Sequence, residues 1–171
     1  MPAAKSATPI DLGTSLLSAL ATSERITQYL LEGLPAAAWR AETPGEGRTI
    51  AAVVSHLHNT RLMWLKAAAK GTKIPAQLDR LKVTPDQARK ALAVSHAAVA
   101  KLVESSLATD GRIKNFPPDV AAFVAYLLSH DAHHRGQICM LARQVGHRLP
   151  NQIIFGMWEW NKRRQEAAVG G

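Results

Sequence analysis

Residues 119–146, DVAAFVAYLLSHDAHHRGQICMLARQVG, decide the fold. Asp119 opens this run behind the turn Asn115-Phe116-Pro117-Pro118, and Gly146 closes it. Between them apolar residues recur at helical spacing, with no period-two alternation. At about 100° per residue, Phe123, Leu127, His130, His134, Ile138 and Leu141 fall in one arc. That arc is the core stripe of a helix over about 119–145. Two histidines lie on it.

The same periodicity runs back along the chain. Residues 11–33 read as a first helix, with Asp11 as N-cap, Leu12, Leu16, Leu20, Ile26 and Leu30 as its apolar face, and Gly33 as its stop. Pro35, Pro44, Gly45 and Gly47 make 34–47 a loop. A second helix spans about 49–69 and stops at Gly71, its stripe being Ile50, Val53, Val54, Leu57, Trp64 and Leu65. Residues 71–83 read as a long crossover loop with room for one short helical turn. Thr84-Pro85-Asp86-Gln87 then starts a third helix that reaches about 108, with Thr at the cap, Pro at the first position and Gln three after the cap. A last segment from Pro150 carries Phe155, Trp158 and Trp160 before a polar tail. The expected fold is all-α, a four-helix bundle with one long crossover and a short C-terminal fifth helix. It forms one domain over 1–171, frayed at 1–10 and 166–171.

Composition narrows the function classes. The 171 residues are 47% hydrophobic and 20% charged, enough for a core of their own and inconsistent with wholesale disorder. Cys139 is the sole cysteine, which excludes an intrachain disulfide and a cysteine-rich zinc site. No apolar stretch reaches the about 20 residues of a membrane span, and the N-terminus has no signal-peptide block, so a cytoplasmic location is expected. The formal charge of +8 raises nucleic acid as a partner. Yet Lys and Arg are scattered apart from Lys162-Arg163-Arg164, without interleaved aromatics, and a solvated basic face is the expectation.

The chain has seven histidines, five of them in two clusters: His56 with His58, and His130 with His133 and His134. His130 and His134 are four apart, hence on one helical face. A buried unpaired imidazole costs roughly 1–3 kcal/mol, so the pair is either satisfied by structural hydrogen bonds or shares a divalent metal. The second helix offers a third ligand. His56 and His58 flank its stripe about 160° apart, so both cannot reach one ion, and spacing does not choose between them. His133 lies beside the pair as outer support, whereas His96 and His147 read as surface residues. Asp131 points about 100° away from His130, which leaves no acid or base fixed near the pair. Arg61 in the apolar arc either snorkels out, pairs with Glu24 or Asp131, or faces an anionic ligand. Gly136 is expected at a close helix contact, Gln137 in interhelical hydrogen bonds, Cys139 as a buried inert thiol, and Trp158 and Trp160 as core or interface cover.

Two motifs resemble a known family. Thr49-Ile50-Ala51-Ala52-Val53-Val54-Ser55-His56-Leu57, with Trp64 downstream, is similar to the second helix of the DinB-like, YfiT-related (damage-inducible) metal-binding superfamily. His130 to Gln137, reading H-x-x-H-H-R-G-Q, resembles its fourth-helix signature. The resemblance implies a bundle with up-down-down-up topology and a divalent ion on His56, His130 and His134, favouring His56 over His58. It implies zinc or nickel, with iron or manganese as further options, and a coordination position open to water or a thiolate. A metal-dependent hydrolase or low-molecular-weight-thiol transferase, acting on a small-molecule or thiol substrate as a homodimer, is the implied function. A non-catalytic, metal-stabilised stress-response or binding module is the alternative.

Overall fold

The computed structural model describes residues 9–45, 47–69 and 71–169. Fraying expected at 1–8 and 170–171 lies outside them. Four long helices form close to the spans read from the sequence: α1 (Leu12–Glu32), α2 (Ile50–Ala68), α3 (Pro85–Leu107) and α4 (Val120–Gln144). The side chains of Asp11, Thr49, Thr84 and Asp119 each accept a backbone N–H of the first turn, and Thr84 with Gln87 closes a full capping box. Gly146, at φ +80°, supplies the left-handed stop after α4. Gly33 works differently. Its φ is −87°, and what it provides is space, since a Cβ there would lie 2.4 Å from Ile153.

The helices bury two apolar layers. One gathers Leu20 of α1, Leu65 of α2, Val99 and Val103 of α3, and Phe123 and Leu127 of α4. The other gathers Leu30, the Ile50–Leu57 turns, Leu92, and Ile138 with Leu141. The N-terminal halves of α1 and α4 thus share a layer with the C-terminal halves of α2 and α3. The bundle therefore runs up-down-down-up, and the parallel α2 and α3 require the long crossover. That crossover forms no helix among its described residues and holds the one short helical turn for which it has room. It is irregular over 72–79, and in the turn that follows Asp79 C=O accepts from the N–H groups of Lys82 and Val83. The loop before α2 holds one 3₁₀ turn, Ala36–Ala38, followed by a buried Trp39 whose indole N–H donates to Val83 C=O at 2.9 Å.

The C-terminal region departs from expectation. Two short helices, α5 (Asn151–Gly156) and α6 (Trp160–Val169), replace the single fifth helix. Residues 166–169 are helical, not frayed, because α6 packs on α1 through a buried charge. Arg163 is 1% exposed, sits 3.9 Å over the Tyr29 ring and pairs with Glu166 at 2.9 Å. Glu166 also reaches Arg25 at 2.8 Å. Leu12, expected on the α1 core face, is instead 72% exposed, one turn too early to meet the layer. Among the described residues no helix is long and apolar enough to cross a membrane.

Candidate metal centre

α2 and α4 face each other across the bundle, and both carry histidines toward the shared seam. Nε2 of His130 lies 3.4 Å from Nε2 of His56 and 3.2 Å from Nε2 of His134. Ring centroids are 5.3 Å apart for His56 and His130, 4.8 Å for His56 and His134, and 4.5 Å for His130 and His134. One ligand atom from each lies within 4.8 Å of the others, so the three could hold a metal ion.

The surrounding hydrogen bonds decide what those nitrogens present. Gln137 Oε1 accepts from His134 Nδ1 at 2.7 Å, and the Gln137 amide N–H donates to His133 Nε2 at 3.0 Å. With its proton on Nδ1, neutral His134 turns a bare lone pair toward His130 and His56. Burial, reinforced by the neighbouring imidazoles, takes its pKa down to about 4 despite Gln137, so the ring is neutral at pH 7. Burial, then His130 and Arg48, lowers His56 as well. Behind His130, the Asp131 carboxylate places Oδ1 3.7 Å from Nδ1. That oxygen is buried and has no hydrogen-bond partner among the described residues. The donor set fits a cation. Ligand nitrogens about 2.0–2.1 Å from a tetrahedral zinc lie about 3.3 Å from each other. An imidazole whose far N–H faces a carboxylate is a recurrent arrangement in metal sites.

The family follows from the chain as a whole. A model described as the DinB family matches residues 6–165. The chain belongs to the DinB family. Neither curated proteins nor solved structures provide a match. In this DinB chain the expected His56, His130 and His134 come together, and His58 does not join them. His58 is fully buried, with Nε2 donating to Ala76 C=O at 2.9 Å, so it fastens the crossover to α2.

Asp131, expected as a candidate partner of Arg61, takes that role, but it also lies near the histidine pair, where no acid or base was expected. The 100° offset sends it into the bundle, where it is 4% exposed. There Arg61 pairs with Asp131 at 2.7 Å and Glu24 at 2.8 Å, and donates to Leu92 C=O at 3.1 Å. Burial pushes the Asp131 carboxyl up, but Arg61 outweighs it and brings it to about 2. Arg61 itself is raised, its two carboxylates overcoming the cost of burial. A charge in the middle of an apolar arc was the signal for such a network.

Other expectations also change. Gln137 bonds within α4 instead of between helices, because its amide is taken by His133 and His134. Gly136 makes no close contact, a Cβ there meeting nothing within 4 Å. His96 is half-buried, and burial lowers its pKa, so it is no surface residue. His147 is half-buried too. Arg135 donates to the Ser23 and Thr27 hydroxyls at 3.0 and 3.1 Å, tying α4 to α1. Cys139 is half-buried, and burial raises its thiol, in line with an inert role. Trp158 and Trp160 stand 82% and 46% exposed, outside the core.

Proposed function

We propose that this DinB chain binds one divalent metal through Nε2 of His56, His130 and His134 and is a metal-dependent enzyme, a hydrolase or low-molecular-weight-thiol transferase. The observation that carries the reading is the convergence of Nε2 atoms at 3.2 and 3.4 Å, with the His134 proton held on the opposite nitrogen. Three protein ligands, with a position left over, are the pattern of catalytic more than structural sites. A bound cation supplies Lewis acidity toward water or a thiol at its remaining position. The protein supplies the rest. Gln137 fixes the His134 tautomer, Asp131 faces the outer nitrogen of His130, and apolar side chains such as Leu57, Leu127 and Ile138 keep the rear of the site dry. Zinc or nickel is the proposed ion, ahead of iron or manganese, since imidazole suits zinc, nickel and iron, whereas manganese prefers oxygen ligands. We place the protein in the cytoplasm as a homodimer, with exposed Phe155, Trp158 and Trp160 available to a second copy.

Metal analysis of untagged protein tests the site. About one equivalent is expected for the wild type, and less than about a tenth after reloading of His134→Ala, which retains its helical circular dichroism. Less than a tenth in the wild type would sink the proposal. If metal removal lowers Tm while no thiol or hydrolysable ester turns over, the bound ion serves stability alone.

A further inference from the structure

Next to His56 lies a cavity of about 210 Å³ bordered by Arg48, Ser55, His56, Asn59, Leu78 and Arg80. The backbone around it is held in place, and Arg48 and Arg80 are exposed at its rim. Arg48 immediately precedes the α2 cap Thr49. The Asn59 amide donates to Leu78 C=O at 3.1 Å and accepts from Leu78 N–H at 3.0 Å, which holds the crossover against α2. Arg40 donates to the carbonyls of Arg80 and Val83 and so pins the turn that presents Arg80.

The chemistry of the lining is one-sided. Two guanidinium groups border the cavity and no carboxylate does. Among the described residues neither Arg48 nor Arg80 forms an ion pair, and the nearby Asp79 leans toward Lys82 instead. Ser55, at the cavity wall, is 1% exposed, yet its hydroxyl has no hydrogen-bond partner among the described residues. A buried hydroxyl without a partner, beside two arginines without an ion pair among the described residues, is a set of donors suited to an acceptor. Arg48 borders a second, smaller cleft with Val53, Gln137 and Met140, and Gln137 is the residue that bonds His134, so Arg48 stands beside His56 on one side and Gln137 on the other. Guanidinium forks match the oxygens of carboxylates and phosphates, and a concave basic wall concentrates such anions.

We infer that this cavity receives the oxyanion arm, carboxylate or phosphate, of the small molecule whose reacting group meets the metal, with Arg48 and Arg80 as its counter-charges and Ser55 as a further donor. The inference rests on the metal reading above and adds a charge to the substrate class: an anionic small molecule instead of a neutral or cationic one.

Cobalt-loaded, full-length protein tests it, because cobalt uptake and thiol binding give separate absorption signals. Ligand-field bands report the metal. The sulfur-to-cobalt charge-transfer band reports titration with neutral 2-mercaptoethanol and with anionic mercaptosuccinate. Mercaptosuccinate is expected to bind at least about tenfold more tightly, with part of that preference lost for each arginine removed. Arg48→Ala/Arg80→Ala should keep the ligand-field bands and bind the two thiols about equally, and Ser55→Ala should show a smaller loss of preference. Competition by inorganic phosphate extends the assignment to phosphate arms, and its absence restricts it to carboxylates. Equal affinities in cobalt-loaded wild type would overturn the inference and leave the metal reading standing. A preference that survives the double substitution would come from chelation by the thiol itself and would overturn it as well. A chain that takes up no cobalt loses both.

Discussion

The proton on Nδ1 of His134 is the smallest feature on which the centre depends. Gln137 keeps it there, and the opposite nitrogen is then a donor pair instead of a competing N–H. Asp131 stands in the same relation to His130, at 3.7 Å, with an oxygen that has no other partner among the described residues. Such outer carboxylates raise the basicity of the ligand they face. Asp131→Asn is therefore expected to weaken metal affinity by about 10–100-fold. Competition against a chelator of known affinity measures it, with Tm recorded in metal-free protein to separate lost stability from lost affinity. Unchanged affinity would remove Asp131 from the site.

Among the elements, α1, α2 and α4 are stitched by one cation and two anions. Arg61 is 4% exposed between Glu24 and Asp131. Three charges in a core are costly to desolvate, so their presence is no proof of added stability. Removing only the cation is another matter, because two buried carboxylates remain without compensation. Arg61→Met is expected to cost about 3–5 kcal/mol, read by urea unfolding of metal-free protein. A loss below about 1 kcal/mol would mean that water reaches the network. The C-terminal helix makes a related point about charge runs. Lys162-Arg163-Arg164 looks like a basic patch in sequence, yet its central residue is the buried clamp on Tyr29 and Glu166. The run is therefore not a contiguous exposed triplet.

Acid should act on the whole molecule. His56, His58, His96 and His134 all have their pKa values lowered from 6.5, burial being the largest cause in each. The unfolded chain therefore takes up protons near pH 6.5 before the folded one does, and stability falls as pH drops through that value. Metal-free protein should show a nearly flat Tm above pH 6.5 and a decline from 6.5 toward 4, the latter being where His134 titrates. Asp131 adds a second loss between 3.8 and about 2, as the carboxylate that Arg61 stabilises is protonated. Differential scanning calorimetry across pH 4–8 reads the first window. A Tm that rises on acidification through it would contradict the neutral, buried state of these rings.

Local rules were enough for the helices and for much of the centre. Caps at Asp11, Thr49, Thr84 and Asp119, apolar spacing, and the i, i+4 pair His130 and His134 are properties of neighbours along the chain, and a sequence carries those directly. The choice between His56 and His58 was beyond periodicity, which gives angles about one axis but not the rotation of α2 against α4. Family resemblance pointed to His56, and packing fixed it beside the pair, leaving His58 on a crossover carbonyl. The same holds for Asp131, turned from bystander to neighbour of His130 by Arg61 on another helix, and for α6, which holds its place through Arg163 on Tyr29 of α1. Contacts between residues far apart in the chain have no period and no spacing, so only the folded arrangement could decide them.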